Sequence, residues 1–246
     1  MIRTFAGVLT LSGFLLVLFP GVDLIASGLI YNDGHFILAQ NAFATWLKDK
    51  ISLLMMIAGI SLFGCTILAF WRGNHSQRKK ALYLFLAMAL GPGLVTNAVF
   101  KDHWGRARPR DIVEFGGTKQ FTPAFSIASQ CRKNCSFYSG HAAVGFFWVS
   151  LAFVTGRRFL FFGGFFFGWL VGLLRWLQGA HYLSDIVFAA FFTIGISYLL
   201  ARAFGFDFSW CAPKMDRVPD KEQTGFSASG FQSFPCQNQS AIKAKE

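Results

Sequence analysis

Three separated groups of residues have the types and spacing of a site for a phosphoryl group. Lys101–Pro109 reads Lys-Asp-His-Trp-Gly-Arg-Ala-Arg-Pro, Ser139-Gly140-His141 opens an apolar run, and Arg175 precedes His181, itself four residues before Asp185. A phosphoryl group in transfer carries charge on its equatorial oxygens, so catalysis is mostly positioning and electrostatic stabilisation. Lys101, Arg108 and Arg175 would supply the positive charge, the arginines as planar forks that take phosphate oxygens bidentately. Ser139 and Gly140 stand at a helix N-terminus, where unpaired backbone N–H groups and the helix dipole favour an anion. The i,i+4 spacing puts His181 and Asp185 on one helix face, where a carboxylate fixes the imidazole tautomer and stabilises positive charge on the ring. His181 is therefore the candidate nucleophile, forming a phosphohistidine that water hydrolyses. His141 is the candidate general acid for the departing alkoxide, then the base that activates water.

The elements that must position these residues lie in a membrane. Of 246 residues, 54% are hydrophobic and 14% charged, against roughly 25% charged in soluble domains. A soluble, disordered or collagen-like chain is excluded on that ground. The formal charge of +11 suits anionic lipid as readily as nucleic acid, and on an apolar chain the partner is read as lipid. A spanning helix needs roughly 20 mostly apolar residues. Six candidates meet or approach that length, at about 5–31, 51–71, 81–100, 137–156, 159–175 and 182–201. The expected fold is all-α, a six-helix transmembrane bundle over residues 1–206, followed by a polar tail at 207–246 without a core of its own. Pro20 is expected to bend the first helix and Asp23 to lie near the interface. Arg3 followed by Phe5–Phe19 also has the look of a signal peptide, but the apolar run continues to Tyr31, so it is read as a retained span.

Loop charges orient the bundle. With the N-terminus inside, Arg72, Arg78, Lys79, Lys80, Arg157 and Arg158 are cytoplasmic, as the positive-inside rule asks. Segment 101–133 then lies outside, yet it carries seven Lys and Arg. Since odd-numbered helices exit where even-numbered ones begin, the three groups converge on one face, and those cations serve the site rather than topology.

In order and in spacing, Lys101-x6-Arg108-Pro109, Ser139-Gly140-His141 and Arg175-x5-His181-x3-Asp185 resemble the three signature motifs of the type 2 phosphatidic acid phosphatase (PAP2) superfamily, which also includes vanadium haloperoxidases. Tyr138 stands where that family usually has Pro, and Leu174 where it often has Ser. The resemblance implies a six-helix membrane phosphatase with no cofactor and no metal, and it assigns His181, His141 and Asp185 the roles given above, with Lys101, Arg108, Ser139, Gly140 and Arg175 binding phosphate. The runs Phe19-Pro20-Gly21-Val22-Asp23-Leu24 and Asn134–His141 further resemble bacterial lipid A phosphatases. That likeness implies a lipid A substrate, with the 4′-phosphate preferred, and a bacterial inner membrane, where the loop charges turn the site to the periplasm. Phosphatidylglycerophosphate and undecaprenyl pyrophosphate are the competing substrates, because the motifs read the phosphate and not the lipid. A non-catalytic lipid-binding or transport relative would have lost a motif His or Arg, and here every charged motif position is filled.

Other residues have blander readings. Two-metal hydrolases need several carboxylates, and Asp185 is the one carboxylate among the motif residues. Cys131-x3-Cys135 lacks a second ligand pair for zinc, and on an outer membrane face a disulfide is favoured. Arg106 and Arg110 match no motif position, and for both a solvated loop face and a contact with substrate stay open. Trp104 is expected as an interfacial anchor, and most Phe residues are expected to face lipid. Gly164-x3-Gly168-x3-Gly172 reads as close packing within the bundle. The 102–137 loop carries a net charge of +3, and its Phe115, Phe121 and Phe125 are expected to dip into the interface. The sequence leaves the oligomeric state open.

Overall fold

Proline 20 has no N–H to continue the helical ladder, and the chain turns there. In the computed structural model, which describes residues 2–72, 74–101 and 103–206, α1 (Ile2–Leu18) and α2 (Gly21–Gly28) meet at 93°. The expected single span 5–31 is thus a broken one. The tail 207–246, with Cys211 and Cys236, lies outside the described residues. After a two-residue hairpin pairing Tyr31 with Phe36, α3 runs from Ala42 to Trp71, started by Asn41, whose Oδ1 accepts the Ala44 N–H at 2.8 Å. Helix α3 begins nine residues before the expected span, so the second half of the loop expected at 32–50 is helix. Asn74 caps α4 (His75–Met88) in the same way, and the chain continues as a wider π-helical stretch, Ala89–Lys101.

The fourth expected span, 137–156, is shorter and divided. Ser139 caps α5 (Gly140–Phe147), and α6 (Ser150–Thr155) follows after a break at Trp148 and Val149. Helices α7 (Arg158–Leu177) and α8 (Leu183–Ala203) complete the bundle. The fold is therefore all-α in its membrane part, as expected. Among the described residues, four helical stretches are long and apolar enough to cross a membrane, a fifth if α1 and α2 count together, and Gly140–Thr155 is a shorter apolar helix.

Packing explains the glycine stripe. A Cβ at Gly164 would fall 2.5 Å from the Val149 nitrogen, one at Gly168 2.2 Å from the Phe146 ring, and one at Gly172 2.5 Å from Ile186. These glycines let α7 close onto α5, α6 and α8 inside one chain, the close approach that small residues permit in membrane bundles. The phenylalanines divide between two environments. Phe14, Phe63, Phe70 and Phe166 face outward, whereas Phe100, Phe137, Phe146, Phe147, Phe153, Phe161 and Phe188 are buried in the core. The expectation that most face lipid is corrected on this point, because edge-to-face ring pairs such as Phe137 with Phe188 fill the space between helices.

The loop between the π-helical stretch and α5 is pinned by its aromatic rings, although Phe125 stays partly exposed. Phe115 is buried against Tyr31 and Phe36, Phe121 packs on Tyr182, and Phe125 on Phe188. Trp104 is likewise no free anchor, since its indole N–H donates to the Ala124 carbonyl at 3.0 Å and its ring stacks on Phe137.

Candidate active site

The site gathers where helix ends meet. Lys101 ends the π-helical stretch, His141 lies in the first turn of α5, Arg175 in the last turn of α7, and His181 two residues ahead of α8. These four, with Arg108 from the loop, line one cavity of about 420 Å³. Gly140 makes room for the lysine, because a Cβ there would sit 3.3 Å from Lys101 Cε and Nζ. The three expected phosphate cations thus converge, as do both histidines.

The short Cys131–Cys135 segment is closed by a disulfide. It presents Asn134, whose Oδ1 accepts from Lys101 Nζ at 3.1 Å and whose backbone carbonyl accepts from Arg108 Nη2 at 2.8 Å. Arg175 Nη1 donates to Gln178 Oε1. Each cation is therefore held by a neutral oxygen, which fixes its position without cancelling its charge. Burial pulls the Arg108 guanidinium below its ordinary pKa, and neighbouring Arg110 adds to this. Crowded cations of this kind gain from binding an anion.

His181 is 1% exposed. Its Nδ1 donates to the Ser136 carbonyl at 2.8 Å and lies 3.4 Å from Asp185 Oδ2. A carbonyl only accepts, so the proton is on Nδ1 and the lone pair on Nε2. Burial pushes the ring pKa down to about 3, against the pull of Asp185, so the imidazole is neutral at pH 7. His181 lies before the helix, and the pair meets through Asp185 at the third position of α8, where Oδ2 also accepts the Tyr182 N–H at 3.0 Å. Asp185 stands behind the histidine and outside the cavity lining. Ser139 is buried too, its hydroxyl accepting from the Ala142 N–H at 3.4 Å as the cap of α5, and neither Ser139 nor Gly140, both expected phosphate binders, is in the cavity lining. His141 Nε2 lies 3.0 Å from the Ser52 hydroxyl.

Sequence reasoning missed two sets of residues. The first is the face of α3 formed by Thr45, Lys48, Asp49 and Ser52, all lining the cavity with Arg110, Asn134 and Gln178. Their i, i+3, i+4, i+7 spacing was the available signal. The second is Arg106. It is fully buried rather than solvated, with Nη1 2.7 Å from Asp185 Oδ1, Nη2 2.7 Å from Asp23 Oδ2, and Nε donating to the Thr122 carbonyl at 2.8 Å. Its guanidinium lies 4.0 Å over the Tyr182 ring. Burial alone would lower its pKa; Asp185 and Asp23 more than reverse that and hold it raised. The turn that carries it inward uses Gly105 at φ +64°, where a Cβ would fall 1.7 Å from the Ala128 oxygen. Tyr138, at the position where the motif pattern has Pro, is buried, with its hydroxyl 2.9 Å from that of Thr96 and its ring stacked on Phe192.

Comparison with known proteins identifies the family of the chain. Residues 80–208 match the PAP2 superfamily. The chain is 37% identical over 185 residues to a lipid A 4′-phosphatase of Francisella tularensis subsp. novicida, covering 72% of this chain and 83% of that protein. It is 40% identical over 170 residues to a lipid A 4′-phosphatase of Rhizobium etli, covering 66% and 63%, and 39% identical over 117 residues to one of Rhizobium leguminosarum, covering 46% and 50%. The chain thus spans well over two thirds of the first relative and less than two thirds of the other two. No solved structure matches it significantly.

Proposed function

Because the chain belongs to the PAP2 superfamily, we propose that this cavity hydrolyses a phosphate monoester on a lipid head group, and that the substrate is lipid A at its 4′-phosphate. The likeness to three lipid A 4′-phosphatases supports the substrate. The observation that carries the chemistry is the meeting of Lys101, Arg108, Arg175, His141 and His181 around one cavity at the helix ends.

In this reading the three cations and the amides at the start of α5 hold the phosphoryl oxygens and take up charge in the transition state. His181 Nε2 attacks phosphorus, the bond to the leaving oxygen breaks, and His141 gives that oxygen a proton. Water then attacks the phosphohistidine, His141 takes its proton, and the N–P bond breaks to release inorganic phosphate. Ser136 and Asp185 keep the Nδ1 proton in place throughout. The lining of five Lys and Arg side chains with one carboxylate, Asp49, is a poor donor set for a divalent ion, so the residues themselves carry the charge stabilisation. The site faces the periplasm from a bacterial inner membrane, since the loops at 72–80 and 156–158 carry the cytoplasmic charge. The phosphatase domain is residues 1–206 in this reading.

The test is phosphate release from the purified, detergent-solubilised chain with lipid A, phosphatidylglycerophosphate and undecaprenyl pyrophosphate in parallel. Lipid A losing its 4′-phosphate fastest is the expected result. Preference for either other lipid would move the substrate while leaving the chemistry. No turnover of any of the three would overturn both.

A further inference from the structure

Two buried charges, Arg106 and Asp23, have no task in the proposed catalytic cycle. Behind the His181 ring, Asp185, Arg106 and Asp23 form a line of charge, with Arg106 at 2.7 Å from a carboxylate oxygen of each acid. Asp23, Arg106, Asp185 and His181 are each no more than 1% exposed. Buried ion pairs cost desolvation and often contribute nothing net to stability. Three charges in one place therefore need a reason beyond holding helices together.

The sum of charges supplies it. With the ring neutral, two carboxylates and one guanidinium add to −1. Attack by Nε2 forms the N–P bond, breaks the bond from phosphorus to the leaving oxygen, and leaves the ring cationic with its Nδ1 proton retained. The buried set then adds to zero. If Asp23 were uncharged, Arg106 would cancel Asp185, and the same step would end at +1 where an unbalanced charge is expensive. The two oxygens of Asp185 are divided accordingly: Oδ1 faces Arg106, while Oδ2 faces the ring and accepts from Ser136 Oγ at 2.5 Å.

We propose that Asp23 is a positioning residue for phosphoryl transfer, neutralising Arg106 from its far side so that the charge of Asp185 is left to the His181 ring. This rests on the reading of His181 as the nucleophile. Asp23 lies outside the cavity lining and acts through Arg106. Its place is set by the chain break at Pro20 and by two bonds from the start of α8, Ser184 N–H at 3.0 Å and Ser184 Oγ at 2.5 Å.

The experiment uses full-length variants in detergent with lipid A labelled with ³²P at the 4′-phosphate, quenched into alkali, which preserves a phosphohistidine. A wild-type chain without labelled histidine overturns the nucleophile reading, and this inference with it. With labelled histidine present, Asp23→Asn is expected to lower kcat about tenfold or more, with KM changed less than about twofold. Combining Asp23→Asn with Arg106→Gln returns the sum to −1 and is expected to recover at least about a third of the lost kcat. Equal kcat in the single and double variants, or an effect confined to KM, would make Asp23 a structural cap and overturn the proposal while leaving the nucleophile intact. Should either variant fail to fold, Asp23→Glu decides, because it keeps the charge. Turnover of at least about a tenth of wild type supports the proposal, and a folded Asp23→Glu without turnover overturns it.

Discussion

His181 holds its Nδ1 proton against the backbone carbonyl of Ser136 at 2.8 Å. That one bond decides which nitrogen can attack, because a ring that donates from Nδ1 has its lone pair on Nε2. It also ties the proposed nucleophile to the loop that follows the disulfide, two residues after Asn134, whose side-chain and backbone oxygens accept from Lys101 and Arg108.

The first prediction concerns protonation. His181 is pushed down to about 3 by burial, against an unperturbed value of about 6.5. Between those limits the folded chain binds fewer protons than the unfolded one. Its contribution to stability is therefore fully present above pH 6.5 and declines as pH falls toward 3. ¹⁵N spectra of histidine-labelled protein, with His181→Gln to assign the signal, should show a neutral Nδ1–H ring at pH 5. A His181 signal that protonates near 6.5 would show that burial does not govern the ring.

The second concerns Arg106. Arg106→Met leaves Asp23 and Asp185 buried without their cation, a class of change that costs about 3–5 kcal/mol. Thermal unfolding in detergent should show a large loss. Arg106→Lys keeps a charge but cannot make the fork that reaches both acids, and should fall between. A Met variant as stable as wild type would mean that the two carboxylates are protonated.

How much of this was legible beforehand depends on the distance between partners. The motif residues lie at helix ends, and alternating helices bring their ends together, so the cavity followed from order and spacing alone. The glycine stripe was legible for the same reason, since a four-residue repeat is local. Asp23 and Arg106 are 83 positions apart, and neither belongs to a spaced pattern. The one hint was a carboxylate three residues after a proline inside an apolar run. Arg106 was read as a solvated or substrate-touching loop residue, and not as a buried one, because Gly105, which turns it inward, reads in sequence as an ordinary loop glycine. The division of 140–155 into two helices, and the early start of α3, come from packing and caps that hydropathy does not register.

The third prediction separates the phosphate cations from loop charge. Arg108→Lys and Arg175→Lys keep the charge and lose the planar fork. Loss of a charge-assisted hydrogen bond of about 1.5–3 kcal/mol gives roughly a tenfold to hundredfold fall in kcat/KM where the bond strengthens in the transition state. Arg132→Lys, in the exposed segment beside the disulfide, should stay close to wild type. Steady-state rates on one lipid decide this, and equal losses in all three variants would undo the assignment of phosphate ligands.

The fourth concerns His141, whose Nε2 faces Ser52 at 3.0 Å. A sugar alkoxide is a poor leaving group and needs a proton, whereas an aryl oxide barely does. His141→Ala should therefore lower kcat on lipid A far more than on p-nitrophenyl phosphate. Equal losses on the two substrates would remove His141 from the acid role. Ser52→Ala should show the same direction with a smaller effect, through looser orientation of the ring.

The last prediction joins side and chemistry. If the N-terminus is cytoplasmic, the ends of helices that carry Lys101, His141 and His181 lie at the outer leaflet. Lys119, in the loop pinned above them, is then periplasmic, and Asn74, which caps α4 at the opposite end, is cytoplasmic. A cysteine introduced at 119, with Cys131 and Cys135 replaced, should react with a membrane-impermeant thiol reagent in intact spheroplasts, and one at 74 should not. In the same membranes, EDTA should leave activity intact, because cations of the chain itself surround the phosphate. Vanadate should inhibit by taking the five-coordinate geometry that those cations are placed to hold. Labelling at 74 but not at 119 would turn the cavity toward the cytoplasm. Activity lost in EDTA and restored by a divalent ion would replace the histidine mechanism with one built on a metal.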